Sequence, residues 1–118
     1  MNLDSPATEK SHYQAKLKSI LIIPFSPYVA LMKFEYDPDK SAANREKHGI
    51  DFDEAQALWD DPYLIEAPAK VTDEPRFLAV GMIGARHWTA VYTHRSDRVR
   101  IISVRRARKQ EIDHYEGD

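Results

Sequence analysis

Six cationic side chains fall within twelve residues of this chain: Arg98, Arg100, Arg105, Arg106, Arg108 and Lys109. A guanidinium is planar, holds its charge across physiological pH and grips two phosphate oxygens at once. Repeated on what reads as a strand running into a helix, that residue type suits a phosphodiester backbone. The chain as a whole carries 17 Lys+Arg against 19 Asp+Glu, a formal net charge of −2, so the cations are focused rather than general. That balance excludes a nonspecific histone-like binder. There is no cysteine among the 118 residues, which excludes disulfides, thiolate metal sites and a thiol nucleophile. His48, His87, His94 and His114 lack metal-ligand spacing, and the four glycines form no phosphate-cradling loop. Neither a metal nor another cofactor is expected.

The elements that must position these cations are legible in outline. With 42% hydrophobic and 31% charged residues, the chain is long enough for one small domain around one core. Lys33 to Tyr36 alternates as a short strand. Asp37-Pro38 is a helix start, with Asp as N-cap and Pro in the first turn, and the helix should run to about Lys47, where Gly49 stops it. Asp51 then caps a second helix, Phe52 to Trp59, whose apolar positions 52, 55, 58 and 59 share a face. Asp60-Asp61-Pro62 ends it.

Strands are expected at Tyr63 to Ala67, Arg76 to Met82, His87 to His94 and Val99 to Val104, with a closing helix from Arg105 to Glu116. Trp88, Ala90 and Tyr92 alternate along one side of the third of these, and Trp59 and Trp88 read as core. Short turns join consecutive strands, so the expected fold is α+β with two N-terminal helices, a small, largely antiparallel sheet and a C-terminal helix. Residues 1–31 read as a weakly structured extension. Its apolar stretch is interrupted by Pro24 and Pro27, too short to span a membrane, and Met32 reads as a natural start.

Three segments together carry a resemblance. The first is Tyr36-Asp37-Pro38-Asp39-Lys40 with Asn44, then Lys47-His48-Gly49-Ile50-Asp51-Phe52 and Glu54-Ala55. The second is Glu74-Pro75-Arg76 followed by Gly81. The third is Tyr92-Thr93-His94-Arg95, then Arg100 through Ala107, ending with Glu111 and Tyr115. In this order, over nearly all of residues 32–118, they resemble the BrnT toxins of bacterial type II toxin–antitoxin modules. Val104 stands where that family more often has Ala, and Tyr36 where Trp is common; both are apolar exchanges. The resemblance implies a RelE-like fold and a cytoplasmic endoribonuclease that arrests translation. It also implies a BrnA-like ribbon-helix-helix antitoxin, joined in a two-plus-two assembly that reaches DNA only through the antitoxin.

Cleaving RNA without a metal uses the substrate's own 2′-OH as nucleophile. It needs one group to take that proton, one to protonate the leaving 5′-oxygen, and cations for the charge building on phosphorus. Arg95, Arg100 and Arg105 are the expected cations, brought together on adjacent strands. His48 is the expected proton-transfer group, since an imidazole titrates near ~6.5; a His before a C-capping Gly also serves simply as a cap. Glu74 is an alternative base with Arg76 beside it as orienting partner or phosphate ligand. Lys47, Arg76, Arg106, Arg108 and Tyr115 are expected RNA contacts. Glu111 and Tyr115, four apart, share a helix face, and Tyr115 either stacks on a base or packs on the sheet. The competing reading is a noncatalytic nucleic-acid- or protein-binding module that uses the same basic face.

Overall fold

In the computed structural model, which describes residues 32–69 and 73–117, the elements are β1 (Lys33–Glu35), α1 (Pro38–His48), a 3-10 helix (Glu54–Asp60), β2 (Ile65–Pro68), β3 (Phe77–Ile83), β4 (Arg86–Arg95), β5 (Arg98–Arg106) and α2 (Lys109–Glu116). The expectation for residues 1–31 lies outside the described residues. No helix among the described residues is long and apolar enough to cross a membrane.

Helix α1 begins and ends where local chemistry requires. Asp37 accepts the Asp39 amide at 2.8 Å, Pro38 occupies the first turn, and Gly49 closes the helix in the left-handed region at φ 82°. The next segment is a correction. Asp51 stands ahead of it, accepting the Glu54 amide at 2.7 Å while Glu54 accepts the Asp51 amide at 3.0 Å, but the N-cap position is Asp53, which makes no side-chain cap bond. The helix that follows is 3-10 rather than α, and starts only at Glu54. Phe52, Ala55 and Leu58 repeat every third residue, so a helix of about three residues per turn buries all three on one line. The expected pair of N-terminal α-helices is therefore one α-helix and one 3-10 helix.

The sheet has the order β1-β5-β4-β3-β2 and is mixed, which corrects the expectation of a largely antiparallel one. Two-residue turns do make β3–β4 and β4–β5 antiparallel, and β2–β3 is antiparallel too, but β1 lies parallel against β5. That pairing joins the first strand to the last across most of the described chain, where no turn constrains direction. The closing helix also starts later than expected. Arg105 and Arg106 still pair with Thr89 and Trp88 as strand, and α2 begins at Lys109.

The core lies between one sheet face and the α1 and 3-10 segments. Phe52, Leu58 and Trp59 pack there against Ala79, Trp88, Ala90, Tyr92, Val99, Ile101 and Val104. Trp59 sits edge-on to both Phe34 and Tyr92 at centroid distances of 5.2 and 5.3 Å. Helix α1 contributes little apolar surface, since its only buried residues are Ser41 and Asn44. Polar bonds hold it instead. The Asn44 amide donates to Ile50 O at 2.8 Å and Val104 O at 2.9 Å, and accepts the Val104 amide at 3.1 Å.

Replacing Asn44 with Ala strands three buried backbone groups, and leaving such a group unpaired costs about 1–3 kcal/mol. Urea unfolding of Asn44→Ala is expected to show a loss of about 3 kcal/mol. A loss indistinguishable from that of an exposed α1 substitution such as Lys40→Ala would show that the bond does not hold the helix.

Candidate nucleic-acid interface

Arg100 and Arg105 stand five residues apart, so uniform strand alternation would point them to opposite faces. The register prevents this. Tyr92 pairs with Ile101 and Val91 with Ser103, which leaves Ile102 unpaired as a bulge. Before the bulge Val99 and Ile101 enter the core; after it Val104 does. Arg98, Arg100, Ser103 and Arg105 consequently all leave β5 on the face opposite the core. From β4, Thr89, Thr93 and Arg95 join them by pairing with Arg105, Arg100 and Arg98. Ladder pairing continues past β3 through the Ala69 amide to Arg76 O at 2.8 Å, so Arg76, preceding core-facing Phe77, falls on this face as well.

The expected cations Arg95, Arg100 and Arg105 are thus brought together, each with a carboxylate partner. Arg95 meets Glu74 at 3.3 Å, and Arg100 meets Glu35 at 2.8 Å. Arg105 forms a two-pronged pair with Glu111, Nη1 to Oε1 and Nη2 to Oε2 both at 2.8 Å. Glu111 also accepts the Thr89 hydroxyl at 2.9 Å and the Arg108 amide at 2.8 Å, which starts α2. Hydrogen bonding to Arg105, reinforced by those two donors, outweighs burial and holds the Glu111 carboxyl down at about 2. The same bond raises Arg105 above the usual guanidinium range.

The other expected residues divide. Glu74 is present at this face but pairs with Arg95 rather than Arg76. His48 is half-buried at the end of α1, while Arg95, Arg100 and Arg105 bond to carboxylates and not to it; Lys47 is exposed beside it. Arg106 leaves β5 on the other side, its guanidinium 5.6 Å from the Trp88 ring centre. Arg108 is exposed at the start of α2. Tyr115 is 2% exposed, its ring edge-on to His87 at 5.4 Å and its hydroxyl donated to Asp61 at 2.6 Å, which leaves no ring face for a base.

Asp61 serves the sheet as well, because its Oδ2 accepts the Met82 amide at 2.9 Å. A Cβ on Gly81 would lie 3.2 Å from that oxygen and 3.0 Å from Leu64 Cδ1, so any larger residue would press on both side chains. The cleft of about 360 Å³ beside it is lined by Asp60, Asp61, Tyr63 and Tyr115 among others, a lining that repels phosphate. Residues that local reading missed are Glu35 and Thr89. Alternation places Glu35 opposite Phe34, but nothing near it in sequence points to Arg100, 65 residues away.

A family model described as "Ribonuclease toxin, BrnT, of type II toxin-antitoxin system" matches residues 36–111. No curated protein matches the chain.

The Glu111 pair has a pH signature of definite sign. An unfolded glutamate titrates near ~4.3, above its folded value, so the pair's stabilisation is complete above about pH 5 and is lost as pH falls toward about 2. Urea midpoints of the wild type and Glu111→Gln should therefore converge as pH falls through that window. Equal separation at pH 7 and at the acid end would show that Glu111 ionisation is not the source.

Proposed function

The chain belongs to the BrnT family of type II toxin–antitoxin ribonuclease toxins, and from that premise we propose that it cuts RNA endonucleolytically on the arginine-bearing sheet face. The observation that carries this reading is the convergence of Arg95, Arg100 and Arg105 on one surface, with Glu74 and Glu35 beside them.

The proposed reaction is transesterification. A base removes the proton of the RNA 2′-OH, and that oxygen attacks the adjacent phosphorus. The P–O5′ bond breaks, giving a 2′,3′-cyclic phosphate and a 5′-hydroxyl that takes up a proton. Negative charge builds on the nonbridging oxygens, where a fixed guanidinium stabilises it. Arg100 fits this role because it is part-exposed and already oriented by Glu35. Arg105 is oriented by Glu111 and completes the cationic wall. Glu111 is a poor proton carrier near neutral pH, because its carboxyl titrates far below that range. Glu74 and His48 are the groups assigned to proton transfer. Glu74 stands on the cationic face, whereas His48 requires RNA to reach the end of α1.

The biological setting follows from the same premise. Cleavage arrests translation in the bacterial cytoplasm. A BrnA-like ribbon-helix-helix antitoxin neutralises the toxin in a two-plus-two complex, and only the antitoxin meets DNA.

Expression of the wild type is expected to arrest growth, and purified protein to yield cyclic-phosphate ends without added metal. Arg100→Ala is expected to lower the cleavage rate about a hundredfold, the scale of losing one fixed transition-state donor. Circular dichroism and urea midpoints check that its fold is kept. Full-rate cleavage by the folded variant would move the site elsewhere, and salt-sensitive RNA binding without any cleavage would favour a binding module instead.

A further inference from the structure

Arg76 differs from every other arginine on the sheet face. Arg95, Arg98, Arg100 and Arg105 each lie within 4.0 Å of a carboxylate: Glu74, Asp97, Glu35 and Glu111 respectively. Among the described residues Arg76 forms no ion pair, and its Nε is buried without a hydrogen-bond partner. A buried donor left unpaired is unfavourable, and more so on a charged group. Its backbone is nevertheless well held. The preceding carbonyl, Pro75 O, accepts the Thr93 hydroxyl at 2.6 Å, and Arg76 O accepts the Ala69 amide.

From this we infer that Arg76 is the anion seat of the face, the guanidinium that takes a backbone phosphate of bound RNA. The seat rests on the ribonuclease reading for the identity of its anion. Competition for the guanidinium decides between the candidates. To bind phosphate, Arg95, Arg100 and Arg105 must share or release a carboxylate. Arg76 releases nothing. Turning about its terminal side-chain bonds presents Nε–H and one Nη–H side by side, a fork that spans two phosphate oxygens. It would also give the orphaned Nε–H its missing acceptor. The paired arginines around it then act at the reacting phosphorus and as fixed positive walls, while Arg76 holds the strand in place. Arg76 aligns with Thr93 and Arg100 in one row across the sheet, so a held phosphate lies beside the arginine assigned to the reaction.

The test uses the full chain and inorganic phosphate, which separates the seat from the RNA reaction. Titrating phosphate into isotope-labelled wild type should shift the Arg76 Nε–H resonance before those of Arg95, Arg100 and Arg105. Arg76→Lys keeps the charge but lacks the fork, and is expected to weaken binding of a 2′-O-methylated, uncleavable RNA. Arg76→Ala should weaken it further and lower the salt slope by about 0.7, the single-strand value for one lost phosphate contact. Lys40→Ala removes the same charge from the exposed side of α1 and should leave both unchanged. If phosphate leaves the Arg76 resonance unmoved, or folded Arg76→Ala keeps the wild-type slope, the seat is refuted even while the enzyme cuts RNA. A phosphate-responsive Arg76 in a protein that cuts no RNA would instead leave the seat standing and refute the ribonuclease reading.

Discussion

The sheet of this protein is longer in its middle than at its sides, and the architecture depends on how the two exposed ladder ends are finished. On β5, β1 pairs only as far as Arg100, so the outer backbone beyond it has no strand among the described residues. The Asn44 side chain takes that place, offering the Val104 backbone one donor and one acceptor as a strand would. On β3, β2 pairs only as far as Val80, and Asp61 accepts the Met82 amide just beyond. An unpaired sheet edge is costly when buried and a template for association when exposed. Two polar side chains, each delivered by a helical segment, remove both problems.

The Asn44 contact also falls two residues beyond the Ile102 bulge. An inserted residue reverses which side chains face the core, so some constraint downstream must hold the new register. Val104, gripped at both backbone polar atoms and fully buried, supplies that constraint. The consequence reaches the candidate site directly. With the bulge, Arg100 and Arg105 share a surface; without it, one of them would be driven into the core side. Packing of the interior and assembly of the cationic face are thus one decision made at one point of β5.

Electrostatics on that face is a matter of arrangement more than of total charge. A chain with net charge −2 cannot attract RNA through its overall field, and most of its face arginines are partly neutralised by carboxylates. Those carboxylates do something else. Glu111, bonded to Arg105, Thr89 and the Arg108 amide, holds the guanidinium plane fixed and ties α2 to the sheet in the same contact. An arginine oriented in advance loses less side-chain freedom when a phosphate arrives. The pairs trade field strength for geometry, which suits stabilising a charge that exists only briefly.

Much of the fold is encoded locally. The Asp37 cap, Pro38 and the Gly49 stop were legible because each bond closes within four residues. The apolar positions of the 3-10 segment and of β4 were legible as core because period alone marks them, though a three-residue repeat was compatible with either helix type. The cationic cluster was visible as composition. What residue types and short spacing could not contain were the parallel entry of β1, the Glu35–Arg100 pair across 65 residues, the Asn44–Val104 bonds across 60, and the bulge at Ile102. Those depend on backbone groups that meet only after the chain has closed on itself. Residue types alone dictated that arginines would crowd the end of the chain. Folding settled which of them share a surface and that Arg76 joins that surface with no carboxylate beside it among the described residues, because side-chain chemistry is local while strand register is set by hydrogen bonds between distant segments.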